Sequence, residues 1–172
     1  MTPHHLVTCP FGPTATVRHD RIARLLQLLC LEIPGVSVRW TPKQQRWPQA
    51  GGAAGEPDLC IQVPGWAPVY ADVAVVHPRS ATAGRALRDE ERTKVEKYSV
   101  WRDQARVINA DFYPFVFESF GLAGSGVRRL VQRLADRAAA DLGLSAAAER
   151  RRWLELLAVS LQLSQSEALL DG

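Results

Sequence analysis

The sequence is poor in the features that mark secreted, membrane-spanning or disulfide-stapled proteins. Its 172 residues include only three cysteines, Cys9, Cys30 and Cys60, an odd number at spacings that argue against a disulfide framework. No apolar run approaches the ~18 residues of a membrane span, and the opening MTPHHLVTCPFG lacks the apolar core of a signal peptide. We therefore expect an intracellular protein that is not secreted and has no contact with a membrane.

A strong net charge is also missing, but the basic residues are clustered. The formal net charge is +3, and the hydrophobic and charged fractions of 47% and 23% are ordinary for a globular domain. Basic residues outnumber acidic ones by eight to five over residues 79–106 and by seven to three over residues 128–152. Arginine clustered on helices is compatible with phosphate binding. It is equally compatible with a solvated helix face, so composition leaves both interpretations open.

Apolar periodicity and turn residues predict helices and strands in the order helix, three strands, helix, strand and two helices. The predicted helices cover residues 20–33, 84–105, 126–142 and 145–163, with Asp20 and Ser145 as N-caps. The predicted strands cover residues 36–40, 59–63, 69–76 and 113–118, and a PGWAP turn joins the middle two. This order predicts an α/β sandwich with a small mixed β-sheet flanked by helices, plus C-terminal helices.

Two aspartates occupy positions in the predicted hairpin where a carboxylate needs a partner. Asp58 lies at the start of the first hairpin strand, and Asp72 lies inside the second strand among valines. An ionised aspartate inside a strand is costly unless it is paired or binds a cation. Two neighbouring carboxylates repel each other, and a divalent cation removes that repulsion. We therefore expect Asp58 and Asp72 to meet at one Mg²⁺ ion.

The next predicted helix directs a lysine toward the same place. At about 100° per residue, Leu87 and Tyr98 share the face that should contact the sheet. Lys94 and Glu91 fall on this face, whereas Lys97 lies on its flank. A lysine directed at paired carboxylates can orient a water molecule and stabilise the charge that develops on a phosphoryl oxygen.

These residues together resemble the motif of a nuclease family. The stretch PDLCIQVPGWAPVYADVAVV followed by EERTKVEKY is similar to the restriction-like endonuclease domain of site-specific non-LTR retrotransposons, a branch of the PD-(D/E)xK nucleases. That branch has Pro-Asp, twelve to fourteen residues, an acid, and then a Lys-x-x-Lys-Tyr helix. This chain has Pro57-Asp58, thirteen residues, Asp72, and Lys94-x-x-Lys97-Tyr98. The resemblance covers about residues 17–134.

The resemblance implies an enzyme that nicks target DNA by phosphodiester hydrolysis to prime reverse transcription. Asp58 and Asp72 would hold Mg²⁺, for which Mn²⁺ could substitute. Lys94 would position the attacking water, with Lys97 as the second candidate. Glu91 would pair with Lys94 at i, i+3 or contribute to the metal site. The implied partners are DNA and an RNA or a reverse transcriptase of the same polyprotein, and the implied location is the nucleus or another intracellular compartment.

The resemblance also implies domain boundaries, and the chain departs from the family pattern in places. Residues 17–142 would form a restriction-endonuclease-like domain, 143–172 a C-terminal helical extension, and 1–16 an N-terminal segment. That segment contains His4-x4-Cys9, which is similar to the second half of a zinc knuckle, so zinc is implied only if the upstream half exists in a longer protein. Two departures are Ala74, where many other PD-(D/E)xK nucleases have their lysine, and Glu56, where this branch usually has a basic residue.

Five residues are candidates for contacts with nucleic acid. Arg18 and His19 precede the first predicted helix, where they could contact a DNA phosphate or only solvent and backbone. Arg92 adds a positive charge to the helix that carries Lys94. Trp66, like Trp47, lies in a predicted loop and could stack on an unpaired base. The stretch ERRRW at 149–153 is predicted to be an exposed helix face.

Three other functions remain open at this point. The same fold could be catalytically silent and serve as a nucleic-acid clamp or docking module. It could instead be a different nuclease of the superfamily, such as one that resolves four-way junctions. The C-terminal helices could also form a self-association module.

Overall fold

The computed structural model describes residues 13–40, 56–77, 84–104 and 109–170. Within these ranges the chain forms four helices, which are α1 (Pro13–Leu31), α2 (Arg85–Gln104), α3 (Ser125–Leu142) and α4 (Ala146–Leu170). It also forms four strands, which are β1 (Ser37–Trp40), β2 (Leu59–Gln62), β3 (Val69–Val76) and β4 (Asp111–Glu118). The half-knuckle of His4 and Cys9, Trp47, and most of the loop predicted before β2 lie outside the described residues.

The four strands form one mixed sheet in the order β1-β2-β3-β4. The pairs β1–β2 and β2–β3 are antiparallel, whereas β3 and β4 are parallel. Two parallel strands need a crossover connection, which α2 provides between β3 and β4. The predicted α/β class and the predicted small mixed sheet are therefore confirmed. No helix in the described ranges has the length and hydropathy that a membrane crossing requires.

The two faces of the sheet carry different kinds of residue. Successive side chains of a strand point to opposite faces. One face of β3 and β4 belongs to the main hydrophobic core together with α1, α3 and α4, and it presents Val69, Ala71, Val73, Phe115 and Phe117. On the other face, Tyr70 contacts Tyr98 of α2, and Asp72 contacts Lys94 of the same helix. The Asp72–Lys94 part of the predicted site therefore lies between the sheet and α2.

Helix α1 begins at Pro13 rather than at residue 20. Proline suits the first position of a helix because its φ is already near the helical value and it lacks the N–H that a helix start leaves unpaired. Asp20 consequently lies inside the helix, where one carboxylate oxygen is 2.9 Å from Nδ1 of His19. The prediction of Asp20 as an N-cap is wrong, because this carboxylate takes part in a buried side-chain contact instead.

Helix α4 belongs to the core that the sheet shares with α1 and α3. Its first turn is capped as predicted, since the N–H of Ala148 donates to Oγ of Ser145 at 3.4 Å. Trp153 is fully buried and lies in the main core with Leu157 and Leu161. The prediction of residues 149–153 as an exposed face is therefore wrong for Trp153 and for Glu149, which is 8% exposed. The boundary predicted at residue 143 stays a prediction.

Candidate functional site

Asp58 and Asp72 face each other across β2 and β3. Leu59 of β2 is paired with Ala71 of β3, and Asp58 and Asp72 each lie one position beyond this pair at the same end of the ladder. The Asp58 carboxyl group lies close enough to Asp72 to hydrogen-bond with it and raise its pKa. Both side chains are buried, with 3% and 5% of their residue surface exposed. The structure thus brings together the two carboxylates that the sequence singles out.

Asp58 is anchored through one of its oxygens. The backbone N–H of Val73 donates to Oδ2 of Asp58 at 2.7 Å. Nε2 of His19 lies 2.9 Å from the same oxygen, and Nδ1 of His19 lies 2.9 Å from Oδ1 of Asp20. The role of Asp20 was missed at the sequence level. An adjacent His-Asp pair in a helix whose next turns are apolar was the available signal, but it does not identify the distant partner.

Two lysines of α2 approach Asp72. Nζ of Lys94 donates to Oδ2 of Asp72 at 2.9 Å, and both side chains are largely buried. Nζ of Lys97 lies 3.8 Å from the same oxygen, although 45% of the Lys97 side chain is exposed. The predicted geometry, with Lys94 facing the sheet and Lys97 on the flank, is confirmed. The buried cluster therefore reaches the surface of the molecule through Lys97.

An aromatic cluster fixes the part of α2 that carries Lys94. The ring of Tyr98 stacks on Phe112 of β4 with centroids 4.1 Å apart and planes 6° from parallel. Trp101 adds an edge contact to Tyr70 of β3 at 5.1 Å. Tyr98 is 7% exposed, as expected for a residue of the helix face that packs on the sheet. Because Lys94 and Tyr98 are one turn apart, this packing directs the lysine at Asp72.

The environment of Asp72 opposes its ionisation. Burial is the largest influence and raises the pKa of Asp72, the ammonium of Lys94 lowers it, and the Asp58 carboxyl raises it again through charge and hydrogen bonding. The net result is a pKa above the ordinary value of 3.8. The negative charge of these two buried carboxyl groups is therefore not fully balanced, even with the ammonium of Lys94 beside Asp72.

The residues at this position fit a small divalent cation. Mg²⁺ prefers oxygen ligands and is often held by one or two carboxylates with water and phosphate oxygens in the remaining positions. Asp58 and Asp72 supply such a pair, and the charge of a cation between them would lower the pKa of Asp72, against the raising effects of burial and of Asp58. Within the described ranges, no group of three or more histidine, cysteine, aspartate or glutamate side chains is arranged to hold a metal ion. The fit therefore depends on the two aspartates.

Glu91 caps a neighbouring helix instead of pairing with Lys94. Its carboxylate accepts hydrogen bonds from Oγ of Ser125, at 2.9 and 3.1 Å, and from the backbone N–H of Gly126, at 2.7 Å. These groups lie at the N-terminus of α3, where a negative charge is stabilised by the helix dipole. The second carboxylate near Lys94 is Glu90, at 3.9 Å. The predicted Lys94–Glu91 pair is therefore wrong.

The predicted phosphate contacts lie in two different environments. Arg18 and His19 are inside α1 rather than before it, and each is only 4% exposed. Arg92 is exposed on α2, and its guanidinium lies 3.2 Å from the carboxylate of Asp89. A contact with DNA stays a prediction for all three residues. Of the three, Arg92 has the exposure that a phosphate contact requires.

Trp66 lies in the β2–β3 turn, at the opposite end of β2 from Asp58. Its ring packs against the main core, and the guanidinium of Arg133 lies over the ring at 4.1 Å from its centroid. Four strand residues separate the two ends of β2, which corresponds to about 13 Å. Stacking of a base on Trp66 remains a prediction, and it would compete with Arg133 for one face of the ring.

Two comparisons with known proteins found no relative of this chain. A scan against protein-family models gives no match to the chain, and a search of curated proteins gives no similar sequence.

Proposed function

We propose that this chain is a metal-dependent DNA endonuclease domain that nicks its target by hydrolysing a phosphodiester bond. The observation that carries the proposal is the convergence of Asp58, Asp72 and Lys94. They come from the start of one strand, the interior of the next strand and the following helix, and Nζ of Lys94 reaches Oδ2 of Asp72 at 2.9 Å. A chance Pro-Asp dipeptide does not require this meeting of three distant side chains.

Each residue of the cluster has a defined role in this function. Asp58 and Asp72 would hold the divalent cation, which would supply Lewis-acid polarisation of the scissile phosphate and acidification of the attacking water. Lys94 orients the attacking water through its ammonium and stabilises the negative charge that develops on the phosphoryl oxygens. Lys97 lies close to the same carboxylate and is exposed, so it is the group that meets the incoming phosphate first.

The order of elements supports a restriction-endonuclease-like sandwich. Helix, three strands, helix and parallel strand follow one another, and the hairpin and crossover helix present the motif residues at one place. Exposed arginines such as Arg92 add affinity for the DNA backbone, so binding weakens steeply with salt. In this proposal the domain works in the nucleus on target DNA, and the nick primes reverse transcription by a polymerase of the same element.

Nicking of supercoiled plasmid in Mg²⁺ or Mn²⁺ tests the proposal. The wild-type chain should convert supercoiled to open-circular DNA, and Asp72→Asn should slow this conversion at least 100-fold because the cation loses one of its two carboxylates. Asp141→Asn is a matched control, since Asp141 pairs with Arg137 on the exposed side of α3. It should nick at the wild-type rate.

Each other outcome has a definite meaning. Equal nicking by wild type and Asp72→Asn would remove the catalytic assignment. DNA binding that depends on salt, without nicking by either protein, would indicate a silent nucleic-acid clamp. Preferential cleavage of a four-way junction over a plain duplex of the same sequence would instead indicate a junction-resolving nuclease.

A further inference from the structure

His19 is a buried histidine whose two ring nitrogens both face carboxylates. Nε2 lies 2.9 Å from Oδ2 of Asp58, and Nδ1 lies 2.9 Å from Oδ1 of Asp20. The residue is 4% exposed and lies in the middle of α1. Each of the two contacts needs one proton between nitrogen and oxygen, so the three side chains share two protons. The ring is therefore held at both ends.

These contacts fix the direction of the Asp58 carboxyl group. Oδ2 receives the backbone N–H of Val73 at 2.7 Å as well as the contact with His19. Two partners at different positions around one oxygen restrict rotation of the carboxyl plane, and they thereby set the direction of the other oxygen. Val73 follows Asp72 in β3, so the same strand that carries the second aspartate also anchors the first.

We infer that His19, oriented by Asp20, is a positioning residue that holds Asp58 in the orientation that binds a divalent cation. The inference rests on the proposed function of Asp58 and Asp72 as metal-holding residues. Groups that hydrogen-bond to a metal ligand orient it, and their loss commonly weakens metal binding by about 10- to 100-fold. His19 acts through Asp58 in this account, because its Nε2 is occupied by the Asp58 oxygen and its ring is shielded from solvent.

Mn²⁺ binding without DNA tests this role independently of nicking. The full chain is titrated with Mn²⁺ and free Mn²⁺ is followed by its electron paramagnetic resonance signal. His19→Leu keeps a similar side-chain volume but removes both nitrogens, and it should weaken Mn²⁺ binding by about 10- to 100-fold. His19→Gln places an amide nitrogen near the position of Nε2, so it should recover most of the lost affinity. His77→Gln changes a histidine that contacts Ser119 instead, and it should bind Mn²⁺ like the wild type.

Thermal melting of each variant separates positioning from folding. If His19→Leu does not fold, Asp20→Ala takes its place, because this change leaves the imidazole in α1 and removes its second anchor. Asp20→Ala should then weaken Mn²⁺ binding in a protein that still melts cooperatively.

The outcomes distinguish the inference from the proposed function. Wild-type Mn²⁺ affinity in folded His19→Leu or Asp20→Ala would overturn the positioning role while leaving the nuclease proposal intact. Binding by His19→Gln that is as weak as in His19→Leu would overturn it too, since the donor would then not matter. A wild-type chain that binds no Mn²⁺ and does not nick DNA would overturn both.

Discussion

Lys94→Met tests the electrostatics of the site most directly. Methionine keeps an unbranched stem but removes the ammonium group, which lies 2.9 Å from Oδ2 of Asp72. The two side chains are only 10% and 8% exposed, so water compensates little for the lost charge. At an effective dielectric constant of about 20, unit charges at this distance attract by about 6 kcal/mol. Desolvation of both groups offsets part of this attraction.

Protonation of Asp72 limits how much Lys94→Met can lower the free energy of unfolding. Without the ammonium, Asp72 lies beside Asp58 with Lys97 at 3.8 Å, and its pKa rises further. Asp72 can avoid a buried charge by binding a proton, which at pH 7 costs about 4 kcal/mol for a carboxyl whose ordinary pKa is 3.8. We therefore expect Lys94→Met to lower the free energy of unfolding by about 3 to 4 kcal/mol in metal-free buffer at pH 7.

The decrease in the free energy of unfolding caused by Lys94→Met should depend on pH. A carboxyl whose pKa is raised by folding contributes stability below its unfolded-state pKa, and this contribution disappears as the pH rises through the folded-state pKa. The pKa of Asp72 is raised by burial and lowered by Lys94. Removing Lys94 thus makes stability fall more steeply between about pH 4 and pH 7. The variant and the wild type should differ most at pH 7 and converge toward pH 4.

Urea unfolding in EDTA at the two ends of this range provides the assay. Lys94→Met is compared in the wild-type background and in Asp72→Asn, where the partner charge is absent. In Asp72→Asn, Lys94 is a buried cation without this partner. Lys94→Met should therefore lower the free energy of unfolding only slightly in this background, or should raise it. An equal loss in both backgrounds, or the same loss at both pH values, would show that the pair does not govern stability here.

Two further predictions concern the packing around the site. Gly126→Ala should destabilise the chain by about 1 to 3 kcal/mol, because a Cβ at Gly126 would lie 2.1 Å from the carbonyl oxygen of Pro114; a more stable variant in urea unfolding would contradict this close approach. Trp153→Ala should cost about 3 to 5 kcal/mol and Trp153→Phe much less, because Nε1 of this buried indole has no hydrogen-bond partner in the described part of the chain. A loss below about 1 kcal/mol for Trp153→Ala would argue against a core position of α4.

The sheet and the lysine of the site follow from short-range patterns. The nearly continuous apolar run in Val69–Val76, which follows the PGWAP turn, identifies a strand, and Asp72 stands out because it interrupts that run. The angle between Lys94 and Tyr98 follows from helix geometry alone, so the direction of the lysine is known once Tyr98 is assigned to the sheet. Asp58 follows from the register of a short hairpin, which the turn length restricts.

The contacts between distant segments could not be predicted in this way. His19 and Asp58 are 39 residues apart, and Glu91 and Gly126 are 35 apart. Nothing in the local periodicity distinguishes Glu91, which caps α3, from a partner of Lys94 at i, i+3. Trp153 was misassigned for the same reason, because three arginines precede it and its burial depends on where α4 packs. The contact partners and the burial of such side chains are determined by tertiary packing.

The charge arrangement at the site links stability to the proposed chemistry. Asp58 contacts His19, and Asp72 contacts Lys94, so each buried carboxylate has its own nitrogen partner. The two partners differ in what they can do when a divalent cation neutralises the carboxylates. His19 is fixed by Asp20 on its other side, whereas the ammonium of Lys94 is at the end of a flexible stem. Under the proposed function, Asp58 and Asp72 would hold a divalent cation whose charge would replace that of Lys94 at Asp72, so the ammonium that pairs with Asp72 in this structure would be free to bind water or a phosphate oxygen.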